Sequence, residues 1–421
     1  TPSFPRRRES ININELWIPA YARMTNKMTF YEAITVDSDG NEQSEIKEFG
    51  AFTDDLLSLR TWLTSNNCPI IAMESTGIYW RPVHNVLEHH LEIILVNARH
   101  MKNVPGRKTD ISDSKWLASL LKHGLLRGSF IPGKDIRHWR ELTRQRRKIT
   151  ESLSDYKKRV HKVFETANIK IGSVVSDLFG KTGMNLIEKL CNEKISLVAA
   201  DIAACAGGRL KSKCTELHRS LQGFFEDHHR FELCSLMRII SILESEIGII
   251  SDRIAWLMSC HDEVIGRLEE VPGIGTRSAQ IILSEIGYDL TTFPNTASFA
   301  SWAGLCPGNN ESAGKRKSGK TAVQKHPFKT IMVEIAWAAV RTKGCYYKDK
   351  YYRLKSRRGA KKAIVAIAHR IAKAIFYIVK HGEVYRELGE DYLKQKRQHK
   401  KIKSLRQQAS AMGLQLIPVE S

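Results

Sequence analysis

The chain has 421 residues, of which 66 are Lys or Arg and 45 Asp or Glu, for a formal net charge of +21. This is enough chain for about two to three domains with real cores, and a mean hydropathy of −0.32 describes a soluble protein without the roughly 20-residue apolar runs that a bilayer requires. The excess of cations is larger than solubility needs and sets the long-range field for a polyanion, which makes DNA or RNA the economical partner.

No secretory signal is legible, because Arg6, Arg7, Arg8, Glu9 and Glu15 interrupt the apolar residues of the N-terminus. The eight cysteines form no C-x-x-C pair. They read as buried free thiols of a reducing cytosol, in neither a zinc site nor a disulfide framework.

In chain order, residues 1–27 show no period, and Pro19 disfavours Leu16–Ala22 as a central strand, so a disordered leader is expected there. Thr29–Val36 alternates as a strand, Asp37–Asn41 is a turn, and Gln43–Phe49 returns as the second strand of a hairpin. Thr53–Asn66 has helical spacing with Thr53 as its cap, Ile70–Met73 is a buried strand, Tyr79–His89 is helical, and Ile93–Asn97 is a strand. Thr109–Lys122 is a helix stopped by Gly124. A hairpin followed by strand, helix, strand and helix predicts an α/β domain of ribonuclease-H-like order over residues 28–139.

Three acids fall where such a sheet would hold a metal. Glu74 closes the apolar run Pro69–Ser75, and Asp110 and Asp113 stand three apart on one helix face. Carboxylates alone suit a hard divalent cation, Mg²⁺ or Mn²⁺, which takes further ligands from substrate phosphates. Acids in the first turn of a helix also cap free N–H groups and complement the dipole, and that reading of Asp110 and Asp113 stands beside the first.

Residues 140–260 read as a helical arm. Leu142, Ile149, Leu153, Tyr156, Val160 and Val163 recur near heptad spacing, and Leu236, Ile240, Leu243, Ile247, Ile250, Ile254 and Leu257 alternate fours and threes. Such a seam serves protomer-to-protomer contact or an ordinary bundle core. Residues 261–393 form a mainly α-helical domain that opens on Pro272-Gly273-Ile274-Gly275-Thr276-Arg277, the pattern of a helix-hairpin-helix. Gly273 and Gly275 would let N–H groups at a helix start approach a phosphate beside Thr276 and Arg277, although a packing corner uses glycines too.

In the following loop Ser312 is flanked by Lys315, Arg316, Lys317 and Lys320, cations placed to offset the charge of a phosphodiester attacked by the serine. Residues 394–421 are a basic tail suited to nonspecific phosphate contacts.

Several separate motifs, taken in order, carry a resemblance. They are Ala72-Met73-Glu74-Ser75-Thr76-Gly77, Val96-Asn97-Ala98-Arg99, Lys108-Thr109-Asp110-Ile111-Ser112-Asp113, Pro272-Gly273-Ile274-Gly275, Trp302–Pro307 with Glu311-Ser312-Ala313-Gly314, and Ala360–His369. Over roughly Met28 to Leu393 the chain resembles the DEDD-type insertion-sequence transposases named after insertion sequence 110, and within them the subgroup named after insertion sequence 1111.

The resemblance implies a RuvC-like domain whose four acids bind Mg²⁺ and a C-terminal transposase domain whose serine attacks DNA. Glu74, Asp110 and Asp113 match the second, third and fourth acids, and Ser312 matches the nucleophile. It also implies an oligomeric recombinase, a dimer or tetramer, that moves its own element between DNA ends and target under the guidance of a structured RNA, in the bacterial cytoplasm at the nucleoid and away from any membrane. The family's first acid falls near Arg23, and no aspartate precedes Asp37. Two further readings therefore stand: a catalytically impaired nucleic-acid-binding remnant lacking the first metal aspartate, and a RuvC-like junction nuclease using the carboxylates alone.

Overall fold

A computed structural model describes residues 16–22, 29–36, 42–75, 77–96, 117–126, 128–192, 202, 204–308, 310–312, 315–318, 321, 326–415 and 417. The chain divides into two units, Thr1–Pro132 and Gly133–Ser421.

The first unit is built on a five-stranded mixed sheet in the order β3-β2-β1-β4-β5. β1 (Leu16–Ala22) pairs antiparallel with β2 (Thr29–Val36) and β2 with β3 (Glu42–Phe49), whereas β4 (Ile70–Glu74) joins the other side of β1 in parallel and β5 (Glu92–Val96) follows β4 in parallel. Parallel strands need crossovers, and α1 (Thr53–Ser65) and α2 (Trp80–Leu87) flank β4 in the chain as those connections.

The unbroken apolar run of β4 follows from cover on both faces. Ile71 and Met73 pack with Leu59, Leu63, Val83 and Leu87, while Ile70 and Ala72 pack with Leu117, Ala118 and Leu121 from a helical stretch at 117–122. That stretch ends as expected at Gly124, whose φ of +63° is the left-handed conformation a glycine supplies at low cost.

Two expectations are corrected here. Leu16–Ala22 is not disordered but is the middle strand of the sheet. The cost of Pro19 is contained because the ladder to β4 begins beyond it, at Ala20↔Ala72 and Tyr21↔Met73, so at Pro19 the strand is paired on the β2 side alone. The cap of α1 is Phe52 instead of Thr53, and its N–H donates to the Asp55 carboxylate at 3.2 Å. A first-turn acid turned back on the chain satisfies the N–H of the cap residue, and no side-chain hydroxyl caps the helix.

The second unit is helical. α3 (Lys134–Thr166) leads through α4 (Ile171–Val174), α5 (Lys181–Asn192), a 3₁₀ turn (Gly208–Lys213) and α6 (Cys214–Ser220) to α7 (Asp227–Met258). α3 begins before the expected Arg140 because Ile136 and Trp139 extend its apolar face into a core. α3 and α7 lie alongside each other in opposite directions, with Lys157 reaching Glu244 at 2.8 Å and Arg146 reaching Ser251 at 3.4 Å.

Different cores grip the two ends of this pair. Val160, Val163, Leu233 and Leu236 pack with α4–α6, and Trp139, Ile250, Ile254 and Met258 pack with the helices that follow. Those are α8 (Asp262–Glu269), α9 (Thr276–Ile286), α10 (Thr296–Trp302), α11 (Pro327–Arg341), α12 (Tyr346–Arg358) and α13 (Ala360–His381), with α14 (Tyr392–Ala411) beyond them. A ribbon of β6 (Asn310–Ser312) and β7 (Lys315–Ser318) lies between α10 and α11 in the chain. The cysteines are all free, but Cys260 is exposed and only Cys68, Cys205 and Cys345 are fully buried, which corrects the expectation of eight buried thiols. Among the described residues no helix is long and apolar enough to cross a membrane.

Candidate catalytic residues and nucleic-acid interface

Glu74 is the last residue of β4 and is half-buried, after four fully buried positions. The β4–β5 register pairs it with Val96, and Ser75 N–H donates to Val96 O at 2.8 Å, so the strand end is held in place. The β1–β4 ladder runs over Ala20↔Ala72 and Tyr21↔Met73 and stops one residue short of Glu74. Asp110 and Asp113 lie outside the described residues, as does Arg23. Among the described residues no three His, Cys, Asp or Glu side chains gather into a metal cluster.

Ser312 closes β6 and its Cα pairs with that of Lys315, the first residue of β7, while Glu311 pairs with Arg316 and Asn310 with Ser318. Directly opposed residues are the closest neighbours on such a ribbon, so the backbone brings Lys315 to the serine's position across a two-residue connection. A bulge at Asn310/Glu311 leaves Lys317 without a partner in this register, and Lys320 is outside the described residues. The base of the loop is closed by a Pro307↔Thr321 bridge and fixed to α11 by a Lys329 Nζ bond to Thr321 Oγ1 at 3.0 Å.

At the turn between α8 and α9 the two glycines do different things. Gly273 has φ +89°, and a Cβ there would stand 2.6 Å from the Ala339 nitrogen and 2.6 Å from the Ile335 oxygen. The α11 backbone fills its near side, so Gly273 is accounted for by packing. Gly275 has open space where a Cβ would go and precedes α9 with no side-chain cap, leaving that helix's first N–H groups available. Thr276 and Arg277 beside it are exposed.

The structure adds Arg146 of α3 to this turn. Its side chain is buried, with 4% exposed. Nη1 donates to Gln280 Oε1 at 2.9 Å, while Nη2 is buried with no hydrogen-bond partner. Burial first, and then the nearby Arg277 charge, lowers the guanidinium to about 10, which leaves it charged at neutral pH. In the sequence Arg146 lies within the helical arm, and its one available signal is a position on the same helical face as Leu142 and Ile149.

Residues 29–169 match the family model of IS110-type DEDD transposases, described as Transposase, and residues 266–353 match the one described as Transposase IS116/IS110/IS902 family. β1 precedes the first match, and the α8–α9 turn and the β6–β7 ribbon lie inside the second. Over 138 residues the chain is 31% identical to "Putative transposase y4pF/y4sB" of Sinorhizobium fredii (strain NBRC 101917 / NGR234), covering 31% of this chain and 35% of that protein. The match thus spans about a third of this relative's length, from the 35% covered.

Proposed function

The chain belongs to the DEDD transposases of the IS116/IS110/IS902 family, and from that premise we propose that it cuts and rejoins DNA at the ends of its own element. Ser312 is the nucleophile, and Glu74, Asp110 and Asp113 are the ligands of Mg²⁺ or Mn²⁺. The observation that carries this reading is the position of the two matches. The stretch 29–169 contains all three acids, and the stretch 266–353 contains Ser312 and the Pro272–Gly275 turn.

The residues suit the metal: the donor set is carboxylate only, and Glu74 stands half-buried at the carboxyl end of a parallel strand, where open α/β sheets gather their ligands. A hard divalent cation bound there would supply charge for the phosphate oxygens as they become more anionic. In the chain's own chemistry, Ser312 Oγ loses its proton and attacks phosphorus. The new Ser–O–P bond forms as the bond to a deoxyribose oxygen breaks, and that oxygen takes a proton; a second hydroxyl reverses the step and rejoins the strand. Lys315, opposite Ser312 in the ribbon, and Arg316, Lys317 and Lys320 offset the phosphate charge. The sheet order β3-β2-β1-β4-β5 supports a ribonuclease-H-like, RuvC-like unit. A further copy of the chain and a structured RNA complete the assembly, at the bacterial nucleoid.

A second reading, the catalytically impaired remnant, is favoured by one observation. The place of the family's first acid falls near Arg23, and neither β1 (Leu16–Ala22) nor Arg23 offers a carboxylate. Trapping a covalent protein–DNA adduct on element-end duplexes separates these readings. The recombinase forms an adduct that Ser312→Ala abolishes and Asp113→Asn reduces. The remnant binds DNA without an adduct and gains one with Arg23→Asp. Cleavage that survives Ser312→Ala would sink the serine assignment and leave the junction nuclease.

A further inference from the structure

The start of α9 forms one wall of a cavity of about 500 Å³. Gly275 lines it just before α9, Thr276, Arg277 and Ser278 from α9, Ser251 from α7 and Arg146 from α3. Arg146 has 4% of its surface exposed, spends Nη1 on Gln280 and Ser251, and keeps a buried Nη2 without a partner. A guanidinium taken out of water is costly unless a counter-charge meets it. The group that acts on it electrostatically here is another cation, Arg277. Asp252, the acid among the lining residues, stands exposed on α7 at the rim.

The free N–H groups behind Gly275 point the same way, because a helix start with no side-chain cap carries partial positive charge. A buried unsatisfied guanidinium N–H, a second arginine and open helix N–H groups together make a receptor for a tetrahedral oxyanion. A small nucleotide held whole would need apolar walls for its base, and these walls are mostly Ser, Thr, Gly, Gln and Arg. Exposed Thr276 and Arg277 leave the cavity open to a passing strand.

We propose that this cavity seats a single phosphodiester group of the DNA backbone, bound by Arg146 Nη2, Arg277 and the first N–H groups of α9. The proposal rests on the reading of the α8–α9 turn as a DNA contact and moves its centre. Gly275 and a residue of the distant α3 hold the phosphate, while Gly273 serves the fold. Such a contact positions the duplex and reads no base.

The test is binding of the full chain to a fluorescein-labelled random-sequence duplex of about 30 base pairs, by anisotropy across a salt series. Arg146→Gln is expected to weaken binding about tenfold and to lower the slope of log affinity against log salt by about one. Arg277→Gln, at an exposed position that folding does not require, is expected to lower the slope likewise, and Asp252→Asn to strengthen binding. If Arg146→Gln fails to fold, the Arg277 and Asp252 variants decide.

Unchanged slopes in the folded variants overturn the proposal, as does protection of Arg146 by inorganic phosphate alone with duplex binding unaffected. The Ser312 adduct is read separately. Shifted slopes with no adduct even from Arg23→Asp sink the serine assignment and leave this site standing, whereas an adduct with unshifted slopes does the reverse.

Discussion

The contact between α3 and α9 carries buried charge at both ends, and the two ends are handled in opposite ways. At the C-terminal end of α9 Glu285, 2% exposed, meets Arg144 in a two-pronged pair at 2.9 Å and 2.9 Å. Arg140 adds bonds to the Ser284 and Glu285 carbonyl oxygens at 3.1 Å and 2.8 Å, where a cation also complements the helix dipole. At the N-terminal end Arg146 meets only neutral partners and the like charge of Arg277. The compensated end locks two helices together; the uncompensated end is poised for an external anion. Position along one helix pair decides which arginine serves the fold and which serves a ligand.

The largest expected effect tests the locked end. Glu285→Ala leaves Arg144 and Arg140 without their carboxylate, and should cost about 3–5 kcal/mol in thermal or urea unfolding. A loss near that of an exposed pair would erase the contrast.

Next, Gly273→Ala should destabilise by about 1–3 kcal/mol, because a side chain at φ +89° is strained and its Cβ meets the α11 backbone. Gly275→Ala should leave the midpoint nearly unchanged and weaken DNA binding, which a salt titration of the duplex reads.

A third, smaller effect concerns pH. His326 sits within the field of Glu285, Arg140 and Arg144, and burial first lowers its pKa from the ordinary 6.5. The unfolded chain therefore takes up this proton more readily, and the stability that neutral His326 contributes is present above 6.5 and lost as pH falls from there toward the lower folded value. From about pH 8 to about pH 5 the wild type should lose more stability than His326→Gln; equal losses would remove His326 from the locked end. The smallest effect belongs to Lys157→Met. Its pair with Glu244 at 2.8 Å is partly exposed, so calorimetry should find a change of about 1 kcal/mol or less.

Parts of this molecule were legible early. The α7 seam was read residue by residue, and Leu236, Ile240, Ile247, Ile250 and Ile254 are buried, with Leu243 and Leu257 half-buried. The β2–β3 hairpin and the apolar β4 followed from alternation and from cover on both faces. β1 was missed because the proline rule counts donors for a strand paired along its whole length, and here pairing to β4 starts after Pro19. Of the residues proposed as catalytic, Glu74 stands at a strand end and Ser312 in the ribbon, where its Cα pairs with that of Lys315, while Asp110 and Asp113 lie outside the described residues.

By itself the sequence determined the periodic burial of α7 and β4, the basic field, and the motifs that carry family membership. Periodicity, composition and motif are properties of neighbours along the chain. Only the tertiary structure decided that Arg146, one cation among many on α3, lies buried without a counter-charge beside an uncapped helix start, and that Gly273 answers to α11. The cost of burying a charge depends on which distant group stands opposite it, and no local pattern records that.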